Sequence, residues 1–119
     1  HFDKVDYDFG SNRVLPGFID IHTHGAYGYD TNDATEEGLR NWTKNLPSEG
    51  VTSFLPTTIT QTEEVLLKAV ANVAKVYREG YEGSEILGIH FEGPYLDAEK
   101  RGAQPLSCIQ TPSVEQFFS

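Results

Sequence analysis

Methionine is absent from the 119-residue sequence, and cysteine occurs once, at Cys108. A single cysteine can neither close an internal disulfide nor build a cysteine-rich zinc site, and such sparse use fits the reducing cytoplasm. No apolar run approaches the roughly 20 residues that a membrane-spanning helix needs. The opening segment HFDKVDYDFG has neither the basic nor the apolar region of a secretory signal peptide. We therefore expect a cytoplasmic protein with no membrane partner and, without an initiator methionine, a piece of a longer chain.

Basic residues are also scarce, because 9 lysines and arginines stand against 18 acidic residues. The net charge of −9 and the pI near 4.7 create a field that repels phosphate, so nucleic acid and anionic membranes are poor partners. A phosphorylated small molecule is still compatible, since one local cationic pocket can override the average field. Hydrophobic residues at 38% and charged residues at 23% are typical of a globular domain.

Apolar runs with β-branched residues alternate with helical stripes along the chain. The strand candidates are Phe18–His22, Val51–Thr57 and Ile86–Glu92. The segments between them repeat apolar residues with a period near 3.6, and Gly50 and Gly80 are natural helix ends. Pro47 should kink the first helix or end it early, because proline cannot donate a backbone hydrogen bond. This order predicts right-handed strand–helix–strand crossovers and thus an α/β fold with a parallel sheet.

Local signals add detail to this outline. Asp33–Glu36 and Thr60–Glu63 have the spacing of capping boxes at the starts of the two helices. Residues 1–17 alternate apolar and polar side chains around a glycine turn, which predicts a short hairpin or two edge strands. We expect Phe18–His22 to be a buried strand and Pro112 to open a further helix.

The tripeptide His22-Thr23-His24 closes the first strand candidate. Residues two apart in a strand project to the same face, so both imidazoles can converge on one point. Such a pair suits a divalent zinc or iron ion, and the C-terminal ends of parallel strands are where α/β folds place their sites. The alternative is one exposed histidine beside one hydrogen-bonded histidine, because HxH tripeptides are common.

A second candidate, His90-Phe91-Glu92, ends the third strand. Glu92 shares a face with His90 and is placed to complete a His/His/Glu metal set, unless it is a solvated carboxylate before a turn. His90 lies one pleat deeper and is expected to line the site rather than bind the metal. Asp20 either orients a ligand histidine or is a hydrogen-bonded structural residue.

Two loops flank these candidates. Lys100–Gln104 places two cations beside a glycine, as either a solvated turn or a lid whose backbone amides reach a polar ligand. The Gly25–Tyr29 segment could form a wall of a pocket beside the histidines. Neither loop contains a GxGxxG or Walker phosphate motif.

Four segments carry a resemblance to a known family. PGFIDIHTHG at residues 16–25 resembles the first-strand signature of metal-dependent amidohydrolases. Three further segments restrict the resemblance to one family within that superfamily, and these are GVTSFLPTTIT, ILGIHFEGPYL and KRGAQP. Together, residues 14–105 are similar to the N-acetylglucosamine-6-phosphate deacetylase family. The resemblance implies that residues 16–119 form the first three strand–helix units of a (β/α)8 TIM-like barrel. It implies that residues 1–15 end a small β-sandwich domain. Because a complete barrel needs about 250 residues, we expect an incomplete portion of the enzyme.

The same resemblance implies an activity, which is hydrolysis of the acetamide of N-acetylglucosamine 6-phosphate to glucosamine 6-phosphate and acetate. It implies one or two divalent ions per intact subunit, Zn or Fe, with Glu92 on the essential ion and His22 and His24 on an additional one. Ala103 and Gln104 match substrate-binding positions, although some relatives carry histidine in place of Gln104. The aspartate general base is expected beyond the chain end, and the intact enzyme is expected to be a homodimer.

Other hypotheses compete with this one. A dihydroorotase- or adenine-deaminase-like amidohydrolase shares the first signature, but the HFEGP and KRGAQP segments argue against it. A non-catalytic metal- or ligand-binding module is a rival of another class, because the site is incomplete in these residues. A cupin-like oxygenase fails, since cupins are all-β and carry a glutamate where Gly28 and Tyr29 stand.

Overall fold

The computed structural model describes residues 6–118, apart from the side chain of Phe117. The strands are β1 (Phe18–Thr23), β2 (Gly25–Ala26), β3 (Tyr29–Asp30), β4 (Val51–Thr58), β5 (Glu85–Ile86) and β6 (His90–Phe91). The α-helices are α1 (Glu36–Asn45), α2 (Glu63–Glu79) and α3 (Val114–Phe118), and 3-10 turns lie at Thr31–Asp33, Leu46–Glu49 and Leu106–Cys108. In this part of the chain, no helix has the length and apolar character required to cross a membrane.

Strand β4 is the centre of a parallel sheet. Strand β1 pairs with it on one side, where Thr23 lies opposite Pro56. Strands β5 and β6 pair with it on the other side, where His90 lies opposite Thr57. The predicted α/β class with a parallel sheet is confirmed. The third strand candidate is also present, but it is interrupted at residues 87–89.

The end of α1 follows from its sequence. Pro47 lacks the N–H that another α-helical turn would need, so the chain continues as a 3-10 turn after Asn45. The turn stops at Gly50, whose φ of +81° lies in the left-handed region that favours glycine. The prediction of an early helix end at the proline is confirmed.

Both predicted capping boxes are wrong in position. Asp33 accepts the backbone N–H of Asp30, so its box closes on the 3-10 turn before α1. Helix α2 begins after Thr62, because Thr60 is buried and bonded to other elements. Short polar side chains can bond to any backbone N–H that the folded chain places nearby. Their spacing in the sequence therefore did not locate the helix starts.

The last helix also begins later than predicted. Pro112 does not open α3, which starts at Val114. The Ser113 hydroxyl accepts the N–H of Gln116 at 3.2 Å and caps the helix instead. A serine hydroxyl can satisfy a free N–H of the first turn, which proline cannot do.

The core lies between the sheet and the helices, around Trp42. Its ring is fully buried, 4.8 Å from the ring of Phe54 on β4 and 5.8 Å from that of Tyr29. Burial raises the pKa of Tyr29 to about 12, and its hydroxyl accepts a hydrogen bond from the Asn72 amide. Helices α1 and α2 and the 3-10 turn after α1 contribute further buried side chains to this core, which are Leu39, Leu46, Leu66, Ala69, Val73 and Val76. The predicted helical stripes are therefore confirmed, although Tyr77, which continues the apolar period of α2, is exposed.

Strand β1 is not the buried strand that its composition predicts. Phe18, Ile19 and Ile21 are 73%, 62% and 65% exposed. Strand β1 pairs only with β4 among the residues that the structure describes, so one edge and much of its surface have no cover there. Apolar composition identified the strand correctly but could not show what packs on it.

The segment before β1 also differs from its prediction. Residues 6–17 contain a turn, in which the N–H of Asn12 donates to the carbonyl of Phe9 at 3.1 Å, but no strand. A hairpin or edge strand needs a second strand with which to form backbone hydrogen bonds, and within residues 6–118 no strand pairs with this segment. The remainder of the prediction, on residues 1–5, lies outside the described residues.

The exposed surface of β1 predicts that the 119-residue chain associates in solution. Apolar side chains and an unpaired strand edge favour contact between copies. The molar mass from sedimentation velocity should rise with concentration, and the double variant Ile19→Ser/Ile21→Ser should reduce this rise. Leu67→Ser, at a 57% exposed position of α2, is the control and should not reduce it. A monomer whose cooperative unfolding is independent of concentration would contradict this expectation.

Candidate metal centre

Three side chains converge at the C-terminal ends of β1 and β6. Glu92 Oε2 lies 3.2 Å from His22 Nε2 and 3.0 Å from His24 Nε2, and the two imidazole nitrogens are 3.3 Å apart. The structure thus brings together the three residues that the sequence singles out as metal ligands. They lie at the edge of the sheet where parallel α/β folds place their sites.

The triangle formed by these ligand atoms has the size of a metal-binding set. A tetrahedral zinc ion bound at about 2.0–2.1 Å keeps its ligand atoms about 3.3 Å apart. Imidazole nitrogens and a carboxylate oxygen are donors that zinc and iron use in proteins. The three side chains are 31–47% exposed, so an ion can reach them from solvent. His22, His24 and Glu92 could therefore hold a divalent ion.

Thr57 orients His24. Its main-chain carbonyl accepts the Nδ1–H of His24 at 3.1 Å, which leaves Nε2 directed at Glu92 with a free lone pair. The Thr57 hydroxyl accepts the N–H of Thr23 at 3.0 Å and donates to the Leu55 carbonyl at 3.0 Å. Sequence reasoning missed this fully buried residue. The available signal was a threonine-rich run at the end of an apolar strand.

His22 is held by two residues that the sequence also singled out. The Asp20 carboxylate accepts the backbone N–H of His22 at 3.1 Å, so Asp20 supports the main chain rather than the imidazole. The ring of His90 packs edge-on against that of His22, with centroids 4.7 Å apart, and His90 Nδ1 donates to the carbonyl of Ile21. His90 thus lies beside the three convergent side chains and lines the site.

Hydrogen bonds hold the Lys100–Gln104 loop in a defined conformation. Arg101 donates from Nε to the Gln104 carbonyl at 3.1 Å, and from Nη1 to the carbonyl of Ala98, just before the loop, at 2.7 Å. Ala103 is exposed, whereas Gln104 is 9% exposed, and its Oε1 accepts the N–H of Thr60 at 2.8 Å. The loop is therefore an ordered turn joined to the segment that follows β4.

The Gly25–Tyr29 segment is a hairpin rather than a pocket wall. Strands β2 and β3 pair antiparallel around Tyr27 and Gly28, both with positive φ. The Tyr27 hydroxyl donates to the Glu49 carboxylate, and this hydrogen bond raises the pKa of Tyr27. Tyr29 packs against Trp42 in the core. Both tyrosine side chains are thus engaged away from the histidines.

Comparison with known proteins identifies a family. The profile of the amidohydrolase family matches residues 13–115. The chain is 46% identical over 108 residues to the N-acetylglucosamine-6-phosphate deacetylase of Bacillus subtilis (strain 168), which covers 87% of this chain and 27% of that protein. The Homo sapiens protein of the same name is 38% identical over 113 residues, covering 92% and 27%. The chain thus spans about a quarter of the length of these curated relatives.

Solved structures agree with this family. The crystal structure of the N-acetylglucosamine-6-phosphate deacetylase of Thermotoga maritima matches with a TM-score of 0.78 and 34% identity, over 87% of this chain and 28% of that one. A mutant N-acetyl-D-glucosamine-6-phosphate deacetylase of Mycobacterium smegmatis, in complex with N-acetyl-D-glucosamine-6-phosphate, matches with a TM-score of 0.77 and 30% identity, over 87% and 26%. With the observed strand order, these matches confirm that the chain is the start of a (β/α)8 barrel.

Replacing Thr57 by valine should destabilise the protein. The N–H of Thr23 would lose its acceptor in a partly buried position, which costs about 1–3 kcal/mol in the free energy of unfolding. Thr58→Val, at the next position of the same strand, is the control and should not lower that free energy, because the buried Thr58 hydroxyl has no hydrogen-bond partner among the described residues. Urea unfolding measures both variants, and equal effects would show that the Thr57 hydroxyl is not a specific link between β1 and β4.

Proposed function

The chain belongs to the amidohydrolase family, and from this premise we propose that it forms part of an enzyme that hydrolyses the acetamide of N-acetylglucosamine 6-phosphate. The products are glucosamine 6-phosphate and acetate. The observation that carries the proposal is the convergence of His22, His24 and Glu92 in a chain 46% identical to a deacetylase of that name. The sugar phosphate in the complex of the Mycobacterium smegmatis relative supports the choice of substrate.

We assign His22, His24 and Glu92 as ligands of divalent zinc or iron, with one or two ions per intact subunit. Such an ion, when bound, lowers the pKa of a water molecule and polarises the acetamide carbonyl. Glu92 contributes the negative charge that offsets part of the charge of the ion, and by resemblance it belongs to the ion that activates water. The histidine pair serves an additional ion, with His24 presenting Nε2 because its Nδ1–H is bonded to Thr57.

We assign substrate contacts to the loop that contains Ala103 and Gln104. Ala103 is exposed, so its backbone is open to a sugar from solvent. We assign the contact with the sugar to the Gln104 amide nitrogen, because Oε1 already accepts the N–H of Thr60. Both positions match the substrate-binding loop of the family that the sequence resembles.

We propose that the remaining machinery lies outside these 119 residues. It comprises an aspartate that transfers a proton to the departing amine, further histidine ligands and phosphate-binding groups. The net charge of −9 makes a local cationic group necessary for phosphate. We propose that a homodimer partner supplies part of that group and that the enzyme works in the cytoplasm.

We also propose a domain boundary, with residues 1–15 at the end of a small β-sandwich domain and residues 16–119 in the barrel. The position of Pro16-Gly17 supports this division, because β1 begins directly after this pair. Gly17 lies so close to Thr52 that an added Cβ would be 2.1 Å from its side chain, so the barrel portion packs from this point onward.

An activity screen tests the proposed function. The intact protein, loaded with zinc or iron, should release acetate from N-acetylglucosamine 6-phosphate and should act on neither dihydroorotate nor adenine. The 119-residue chain alone should release no acetate above a metal-only blank, because the proposal assigns the base and several ligands to residues outside it. Turnover of dihydroorotate or adenine by the intact protein, or Glu92-dependent acetate release by the short chain, would contradict the proposal.

Glu92 should matter more for the reaction than the histidine pair. In the intact enzyme, Glu92→Gln should lower kcat/KM on the order of a thousandfold, because the site would lose a negatively charged ligand for the essential ion. The double variant His22→Gln/His24→Asn should mainly lower the metal content from about two ions to one. Metal analysis and steady-state kinetics distinguish these effects.

The matched control for this comparison is Glu99→Gln, an exposed carboxylate in the loop that follows Glu92. It should leave both metal content and rate unchanged. If Glu92→Gln retains normal metal and rate while the histidine variant is inactive, the ranking of these ligands is reversed.

A further inference from the structure

Gln104 makes a buried contact that the proposed chemistry does not require. Its side chain is 9% exposed, and its Oε1 accepts the backbone N–H of Thr60 at 2.8 Å. A buried amide is tolerated when its polar atoms are satisfied, and this bond also satisfies an N–H of the segment after β4. Gln104 thus joins two segments that are 44 residues apart in the chain.

Thr60 continues this contact to Glu92. Its fully buried hydroxyl donates to the main-chain carbonyl of Glu92 at 3.4 Å. A Cβ added at Gly93 would lie 1.8 Å from Thr60 Oγ1, so the backbone of Glu92 and Gly93 lies directly against Thr60. Glycine is required at position 93 for this approach, and its φ of +84° independently favours glycine.

The other end of the contact is equally well defined. The N–H of Gln104 donates to the Arg101 carbonyl at 3.2 Å, and Arg101 Nε donates back to the Gln104 carbonyl at 3.1 Å. This reciprocal pair closes the turn that contains Ala103. The position of the Gln104 side chain is therefore coupled to the fold of the whole Lys100–Gln104 loop.

We propose that Gln104 is a positioning residue, which holds Glu92 in place for metal binding through Thr60. The inference rests on the proposed role of Glu92 as a metal ligand. A carboxylate ligand is effective only when its oxygen lies at the bonding distance, and substitution of the groups that hold ligands in place lowers metal affinity about 10- to 100-fold. Loss of the Gln104 oxygen frees Thr60 and with it the backbone that carries Glu92.

The test uses Co²⁺ as a spectroscopic probe of the intact protein. Gln104→Met removes the acceptor at nearly constant volume and should weaken Co²⁺ affinity about tenfold, with a changed visible absorption spectrum. The matched control is Gln61→Met, because Gln61 Oε1 also accepts a backbone N–H, that of Thr62 at 3.1 Å, without contact to Glu92. This control should leave affinity and spectrum unchanged.

A second variant keeps the test decisive if Gln104→Met does not fold. Thr60→Val retains the N–H bonded to Gln104 and removes only the hydroxyl bonded to Glu92, so it should also weaken Co²⁺ affinity. If both fold, the double variant should lose less affinity than the sum of the single losses, because the two residues act in one chain of contacts.

Three results would overturn the inference. These are unchanged Co²⁺ affinity in Thr60→Val, equal effects of Gln104→Met and Gln61→Met, and a Gln104→Met variant that changes only the KM for the sugar phosphate. A protein that binds Co²⁺ in a manner dependent on Glu92 and Gln104 but releases no acetate would instead refute the proposed deacetylase activity alone.

Discussion

The parallel pairing of β4 with both β1 and β6 is the constraint on which the candidate site depends. Because these strands run in the same direction, their C-terminal ends meet at one edge, and Glu92 approaches His22 across 70 residues of sequence. The register places His90 opposite Thr57 and so sets the depth of the site. A shift of one residue would turn the side chains of the candidate site to the other face of the sheet.

Hydrogen bonds from the segment Thr57–Thr60 fix the positions of the residues that form the candidate site. Its first residue binds the backbone and imidazole of the β1 side, and its last residue binds the backbone of Glu92. Between them, Ile59 exchanges two hydrogen bonds with the side-chain amide of Asn32. The two histidines and the carboxylate are thus supported by one short, largely buried segment, so substitutions within it should not act independently.

Stability and chemistry lie on different parts of the sheet. The aromatic cluster around Trp42 packs on the helical face, whereas the site lies at the C-terminal edge, and the apolar side chains of β1 are exposed. Barrel folds separate these tasks in the same way, since their loops vary while the packed layers maintain the fold. This separation explains how a conventional helix–sheet core can carry a polar, partly exposed group of candidate metal ligands.

Local rules were sufficient to locate the three main strands, the two long helices and the end of α1 at Pro47. Periodicity, glycine conformation and the missing proline N–H act within a few residues, so they can be read along the chain. The pairing of His22 and His24 with Glu92 was predicted because parallel topology brings the ends of strands together, and the family resemblance pointed to the same residues.

Long-range contacts accounted for what could not be predicted. The sequence contains Asp33 and Thr60 at capping distances, but folding assigns Asp33 to an earlier turn and Thr60 to Gln104 and Glu92. The apolar composition of β1 predicted a strand, yet its exposure depends on which elements pack beside it. The hydrogen bond between Thr60 and Gln104 joins residues 44 positions apart, so no periodic pattern in the sequence indicates it. It forms only after the sheet has brought both loops to the same edge.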